Sequence, residues 1–147
     1  MNKFPNFKLK LIEGTEIKSS DLKKTILFFY PKALTSGCTI EDCDFQFNLN
    51  KLKKMGFNLI GVSKDPIEKN IKFAQKYKIK YSLASDENDA CEKLGIWIKK
   101  SMFGIKYFGI VRTTIMINSK GEVFKLWEKV KVSGHVKEVL ELAKKCP

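Results

Sequence analysis

A chain of 147 residues with 28 basic and 16 acidic side chains, net charge +12, carries 44% apolar residues, enough for a packed core. One domain of this length buries roughly two thirds of its unfolded surface; no linker, low-complexity tract or repeat interrupts it, so residues 1–147 are expected to fold as a single domain. No apolar run nears the roughly 20 residues of a membrane span. Met1-Asn2-Lys3-Phe4-Pro5 has no apolar signal region, so a cytoplasmic protein with free thiols and no membrane partner is expected.

Phe7-Lys8-Leu9-Lys10-Leu11 alternates at period two and predicts an edge or hairpin strand; Gly14 then turns the chain into Glu16-Ile17-Lys18. Ser19-Ser20-Asp21-Leu22 supplies caps for a brief helical turn. Thr25-Ile26-Leu27-Phe28-Phe29-Tyr30 is a continuous β-branched and aromatic run, the pattern of a strand buried on both faces. Pro31 ends it, having no N–H for the ladder. A short loop, Lys32 to Gly37, leads to Cys38, where a helix can begin. From Thr39 on, Phe45, Leu49 and Leu52 fall at helical spacing, Glu41, Asp42 and Asp44 fill the early turns, and Gly56 is the C-terminal stop.

Phe57 to Ser63 predicts the next strand. Asp65 as N-cap and Pro66 at the first helical position launch a helix with Ile67, Ile71, Phe73 and Ala74. Ser82-Leu83-Ala84-Ser85 is a short strand, followed by a helix from about Asn88 to Leu94 that Gly95 ends. Ile96 to Gly109 reads as an irregular, partly exposed segment. Thr113 to Ile117 and Val123 to Trp127 form a hairpin about Asn118-Ser119-Lys120-Gly121. Ser133 or Gly134 caps a last helix with Val136, Val139, Leu140 and Leu142 inward. This order, β-α-β-α-β then a hairpin and a closing helix, predicts an α/β protein: a mixed central sheet with helices on both faces, in the order of a thioredoxin-like fold. Phe7–Lys18 adds an N-terminal hairpin to it.

Cys38 thus stands after a buried strand and at a helix start, where unpaired N–H groups and the positive dipole end favour a thiolate. A second signal is compositional: every basic residue but Arg112 is lysine. A lone arginine marks work that needs a planar, permanently charged, multi-donor group.

The run Tyr30-Pro31 … Thr35-Ser36-Gly37-Cys38-Thr39-x-Glu41-x-Cys43-x-Phe45 resembles the active-site signature of the peroxiredoxins, in their bacterioferritin-comigratory or Q-type branch. Ser36 departs from it, standing where that branch usually has Pro. Gly61-Val62-Ser63-Lys64-Asp65 and Gly109-x-x-Arg112-x-Thr114 resemble two further segments of the family, in the same order. The resemblance implies a thiol-dependent peroxidase acting on hydrogen peroxide and organic hydroperoxides, recharged by thioredoxin or a similar dithiol reductant, working as a monomer without a cofactor. Cys38 is then the peroxidatic nucleophile. Thr35 offers a hydroxyl to the sulfur and the peroxide, Arg112 fixed positive charge, Pro31 shape and shielding, and Glu41 a carboxylate to orient Arg112. The resemblance also implies that Cys43 resolves the Cys38 sulfenic acid within one chain. On a regular helix these positions lie about 8–9 Å apart at Cα, and a disulfide needs under about 7 Å, so the first turns must unwind.

Other readings are plainer. Cys91 reads as a buried filler and Cys146 as a mobile, incidental thiol. With no Cys-x-x-Cys pair and only His135 as an imidazole, no metal site is expected. That spacing also weighs against a thiol–disulfide oxidoreductase. The lysines are scattered along amphipathic segments, so a solvated surface is expected rather than specific nucleic-acid binding, with a basic polyanion-binding module as the alternative. Trp97 and Trp127 read as packing residues, and Ser63 as part of the strand exit.

Overall fold

The computed structural model describes residues 5–147; the reading of Met1 to Phe4 lies outside the described residues. The elements are β1 (Lys8–Leu11), β2 (Glu16–Lys18), a single 3-10 turn (Ser19–Asp21), β3 (Thr25–Phe29), α1 (Ser36–Phe47), α2 (Leu49–Lys54), β4 (Asn58–Ser63), α3 (Ile67–Lys76), β5 (Ser82–Ser85), α4 (Ala90–Lys93), β6 (Trp97–Met102), β7 (Ile105–Ile110), β8 (Thr113–Ile117), β9 (Val123–Trp127) and α5 (His135–Ala143). No helix among them is long and apolar enough to cross a membrane.

Seven strands make one sheet in the order β2-β1-β5-β4-β3-β8-β9, with β6 and β7 as a separate pair. β3, β4 and β5 run parallel, while β8 pairs antiparallel with β3 and β1 with β5. Every residue of β3 is buried, because it has a strand on each side and a packed layer on each face. Its alternation splits the core in two. Ile26, Phe28 and Tyr30 join Phe45, Leu52, Phe73 and Val139 on one face. Leu27 and Phe29 join Val62, Cys91, Ile110 and Ile115 on the other. Phe28 stacks on Phe45 at 4.4 Å between centroids and lies over Gly61, where a Cβ would come within 2.7 Å of its ring. Truncating Phe28 to Ala would cost about 3–5 kcal/mol. The architecture is thus the expected mixed sheet of a thioredoxin-like fold, with α1, α2, α3 and α5 over one face and α4 on the other.

Four local readings are corrected. The long helix after Cys38 breaks at Asn48, whose side-chain amide donates to the Asp44 carbonyl at 2.9 Å, so α1 and α2 are separate. Pro66, not Asp65, is the N-cap of α3, and the helix begins at Ile67. α4 spans only Ala90–Lys93. Ile96 to Gly109 is not irregular: it holds the regular hairpin β6–β7, paired from Trp97↔Ile110 to Met102↔Ile105. Phe103 and Gly104, at φ 53° and 77°, form its two-residue turn, with both central residues left-handed as the twist of a hairpin favours. A Phe-Gly turn carries none of the Asn or Asp that advertises such a loop.

Candidate active site

Past β3, Tyr30 donates its N–H to the Val62 carbonyl at 2.9 Å, and half-buried Pro31 then turns the chain away from the sheet. The loop that follows is pinned from β4: the Asp65 carboxylate accepts the Ala33 N–H at 2.7 Å. Asp65 therefore shapes this loop rather than capping α3. Leu34 is left-handed at φ 68°, a conformation that a branched side chain adopts only under tertiary constraint. Thr35 is extended and serves as N-cap of α1. The helix starts two residues earlier than expected, which makes Cys38 its third residue, still within the first turn of unpaired N–H groups. Ser36 is the first helical residue, a position that accepts Pro or Ser, so its departure from the family pattern leaves the helix start intact.

Cys38 is 1% exposed. Arg112, from the segment between β7 and β8, donates from Nη2 to its Sγ at 3.3 Å and from Nη1 to Glu41 Oε1 at 2.6 Å. The guanidinium thus spans sulfur and carboxylate with two separate nitrogens of one rigid plane, where a lysine would offer a single point charge. It lies close over the helix start, where a Cβ on Gly37 would stand 3.4 Å from Nη2. Burial pushes the Glu41 carboxyl up to about 7, against the pull of Arg112. Burial works against the Arg112 charge, but Glu41 and Cys38 outweigh it and hold that charge firmly on. Glu41 Oε2 has no hydrogen-bond partner among the described residues, so the ion pair has one arm on the carboxylate rather than two.

Thr35 departs from the expectation. Its hydroxyl donates to the Lys32 carbonyl at 2.8 Å, and its carbonyl accepts the Thr39 N–H and hydroxyl at 2.9 and 2.7 Å. The hydroxyl proton is committed to the loop, and only the oxygen lone pairs remain to accept from an entering O–H.

Cys43 lies one turn further along the same unbroken helix and is half-buried; burial, then Asp42 and Asp44, raise its thiol. Asp42 is itself sealed in the core, where the Tyr81 hydroxyl donates to its Oδ1 at 2.6 Å and its carbonyl at 2.9 Å. Burial lifts its carboxyl well above the usual range. From sequence Asp42 reads as an early-turn acid of the helix, with no local signal for its burial against Tyr81.

Three further features escaped sequence reading. His135 bonds Thr114 Oγ1 at 2.7 Å and packs edge-on against Phe45 and Trp127; burial drops it to about 4. Tyr30 donates to Asn70 Oδ1 at 2.6 Å, and Asn70 bonds Ser63 and Ser85, tying three parallel strands below the loop. Lys100 crosses Gly109 and donates to the Ile110 carbonyl at 2.6 Å, two residues before Arg112. Cys91 is fully buried as expected. Cys146 is not mobile but buried in the core beneath α5, its carbonyl holding Lys24 Nζ at 2.8 Å. Trp97 stacks on Phe108, and Trp127 packs on His135, as packing residues do. No cluster of three metal-binding side chains occurs among the described residues.

A thiol at a helix start, bridged by an arginine to a buried carboxylate, is equipped to stabilise negative charge passing from sulfur to oxygen. The sequence matches the AhpC/TSA family over residues 1–125. The chain belongs to this family. Within it, the similarity is to Bcp-type peroxiredoxins. A peroxiredoxin bcp sequence of Coxiella burnetii is 45% identical over 141 residues, 94% of this chain and 93% of that one. Peroxiredoxin Bcp of Bacillus subtilis is 40% identical over 145 residues, 97% and 92% of the two chains. Among solved structures, the bacterioferritin comigratory protein of Xanthomonas campestris, studied for its alkyl peroxide reduction activity, superposes with a TM-score of 0.87. It is 32% identical, over 95% of this chain and 90% of that one. This AhpC/TSA member is therefore a peroxiredoxin, a thiol-dependent peroxidase.

Proposed function

We propose that Cys38 is the peroxidatic thiol of this peroxidase and Cys43 its resolving thiol. The observation that carries the reading is the Arg112 bridge from Cys38 Sγ to Glu41 at the start of α1. The Cys38 thiolate attacks one oxygen of ROOH, the O–O bond breaks, and the leaving alkoxide or hydroxide takes up a proton; the sulfur becomes a sulfenic acid. Arg112 and the first-turn N–H groups meet the charge as it moves from sulfur to oxygen. Glu41 keeps the guanidinium in plane, Pro31 shapes the loop over the sulfur, and Thr35 accepts from the peroxide O–H. Cys43 sulfur then displaces hydroxide from the Cys38 sulfenic acid, forming a disulfide and water. A dithiol reductant of the thioredoxin kind returns both thiols by two exchange steps.

Hydrogen peroxide and alkyl hydroperoxides are the proposed substrates, the latter supported by the relation to the Xanthomonas campestris protein. Residues 1–147 act as one monomeric peroxiredoxin domain in the cytoplasm, with no specific nucleic-acid partner.

Stopped-flow oxidation by hydrogen peroxide, with mass spectrometry of the thiol products, tests the assignment. Oxidised protein should yield a Cys38–Cys43 linked peptide, no disulfide-linked dimer, and faster amide exchange across 39–47 as the helix start unwinds. Cys43→Ser should consume one equivalent of peroxide and stall with sulfenic or sulfinic Cys38. A Cys38–Cys91 peptide would remove Cys43 from the cycle while leaving Cys38 in place.

A further inference from the structure

Hairpin β6–β7 turns large apolar side chains outward: Phe103 is 97% exposed, Ile105 70% and Met102 56%, and Ile98, Tyr107 and Phe108 are also exposed. Among the described residues its two strands pair only with each other, so it stands apart from the main sheet. From Trp97 to Ile110 it carries Lys99, Lys100 and Lys106 and no acidic residue. Apolar surface of this kind marks a contact rather than a solvated loop.

The register shows what kind of contact. Directly paired residues share a face, so Met102, Ile105 and Tyr107 lie on one side with Lys100, and Phe108 lies on the other with Lys99, Ser101 and Lys106. Both faces therefore combine apolar groups with lysine, and the Phe103 turn projects beyond them. A lipid interface accepts apolar groups and lysines on both faces of a projecting tip at once, the apolar groups among the acyl chains and the lysines at the phosphates. A second copy of this chain brings another net charge of +12 and a second set of lysines to the same place. We propose that the hairpin docks this protein on anionic lipid surfaces. The tip 102–105 enters the headgroup boundary, and Lys99 and Lys106 meet lipid phosphates. The expectation of no membrane partner rested on the missing membrane span, and surface docking needs none. Because β7 runs directly to Arg112, docking holds the Cys38 site near the lipid surface. The proposal stands apart from the peroxidase reading, and hydrogen peroxide turnover reports on that reading separately.

Co-sedimentation of the full chain with phosphatidylcholine vesicles, and with vesicles of mixed phosphatidylcholine and phosphatidylglycerol, tests it. The wild type should bind the anionic vesicles and largely ignore the neutral ones. Two double variants, Phe103→Ser with Ile105→Ser and Lys99→Gln with Lys106→Gln, should each weaken binding about tenfold or more. Both should keep hydrogen peroxide turnover, since they alter exposed side chains outside the site. Undiminished binding by the serine pair would overturn the proposal in favour of diffuse adhesion by the lysine-rich surface. Absence of wild-type binding would overturn it in favour of a protein partner. A concentration-dependent dimer that the serine pair abolishes would assign the surface to a second copy.

Discussion

Cys38 and Cys91 occupy corresponding places in the fold. Each follows a strand of the parallel set, β3 for one and β5 for the other, and each lies in the first turn of the next helix, sealed from solvent. They sit on opposite faces of the sheet. What separates them is the charge that the tertiary structure brings alongside. Cys38 accepts a hydrogen bond from Arg112, 74 residues away in sequence. Cys91 sits on the Asp86 carboxylate, which accepts its N–H at 2.9 Å; burial first, and then that carboxylate, push its thiol far up. Asp86 in turn is held low chiefly by the Cys91 and Ala90 N–H groups, which outweigh its burial, and it pairs with Lys64 at 3.3 Å. Two buried thiols at helix starts thus differ in the charge set beside them, a guanidinium at Cys38 and a carboxylate at Cys91.

The comparison breaks most sharply on the cysteines themselves. Cys38→Ser should abolish peroxide consumption with a dithiol donor, while Cys91→Ser should retain most of it; the reverse result would exchange their roles. Next in size is Arg112→Lys, which keeps the charge but not the fork. Cys38 oxidation in stopped flow should slow about tenfold or more, about 1.4 kcal/mol in the barrier. A wild-type rate would show that charge alone suffices.

On the Cys38 face, His135 is held neutral by burial, with Arg112 adding to it against the pull of Glu138. Its folded value of about 4 lies below the ordinary 6.5, so the unfolded chain binds the extra proton between them. Stability is then fully present above 6.5 and is lost as pH falls toward 4, by roughly 2–3 kcal/mol. Urea midpoints at pH 7 and pH 4.5 should show this slope in the wild type and a flatter one in His135→Gln. The smallest effect concerns Cys91. Asp86→Asn removes the adjacent charge but leaves the burial, so alkylation of Cys91 should quicken several-fold and still trail that of Cys38. Equal rates at the two thiols would mean that burial matters less than the carboxylate.

The parts of this protein legible in its sequence are those whose cause is local. Thr25 to Tyr30 reads as a doubly buried strand because a continuous β-branched and aromatic run leaves no solvent face, and Pro31 stops it by lacking a donor. Cys38 at a helix start follows from that strand and stop, and Arg112 stands out as the sole arginine. The hairpin β6–β7 stayed hidden for the opposite reason. Apart from Trp97 and Ile110 at its base, its apolar residues serve no buried face, so the alternation that reveals a strand against a core is missing.

Elsewhere the sequence determined residue types, and distance along the chain withheld their partners. Asp65 carries the marks of a helix cap, yet its carboxylate goes to Ala33, 32 residues earlier. Asp42 carries the marks of a surface acid, yet it faces Tyr81, 39 residues on. Cys146 near the chain end is buried because α5 folds back over the sheet. A side chain's propensity is fixed by its own covalent structure and its near neighbours. Its burial and its charge partner exist only once strands far apart in sequence are paired; Cys38 and Cys91 share the first and are separated by the second.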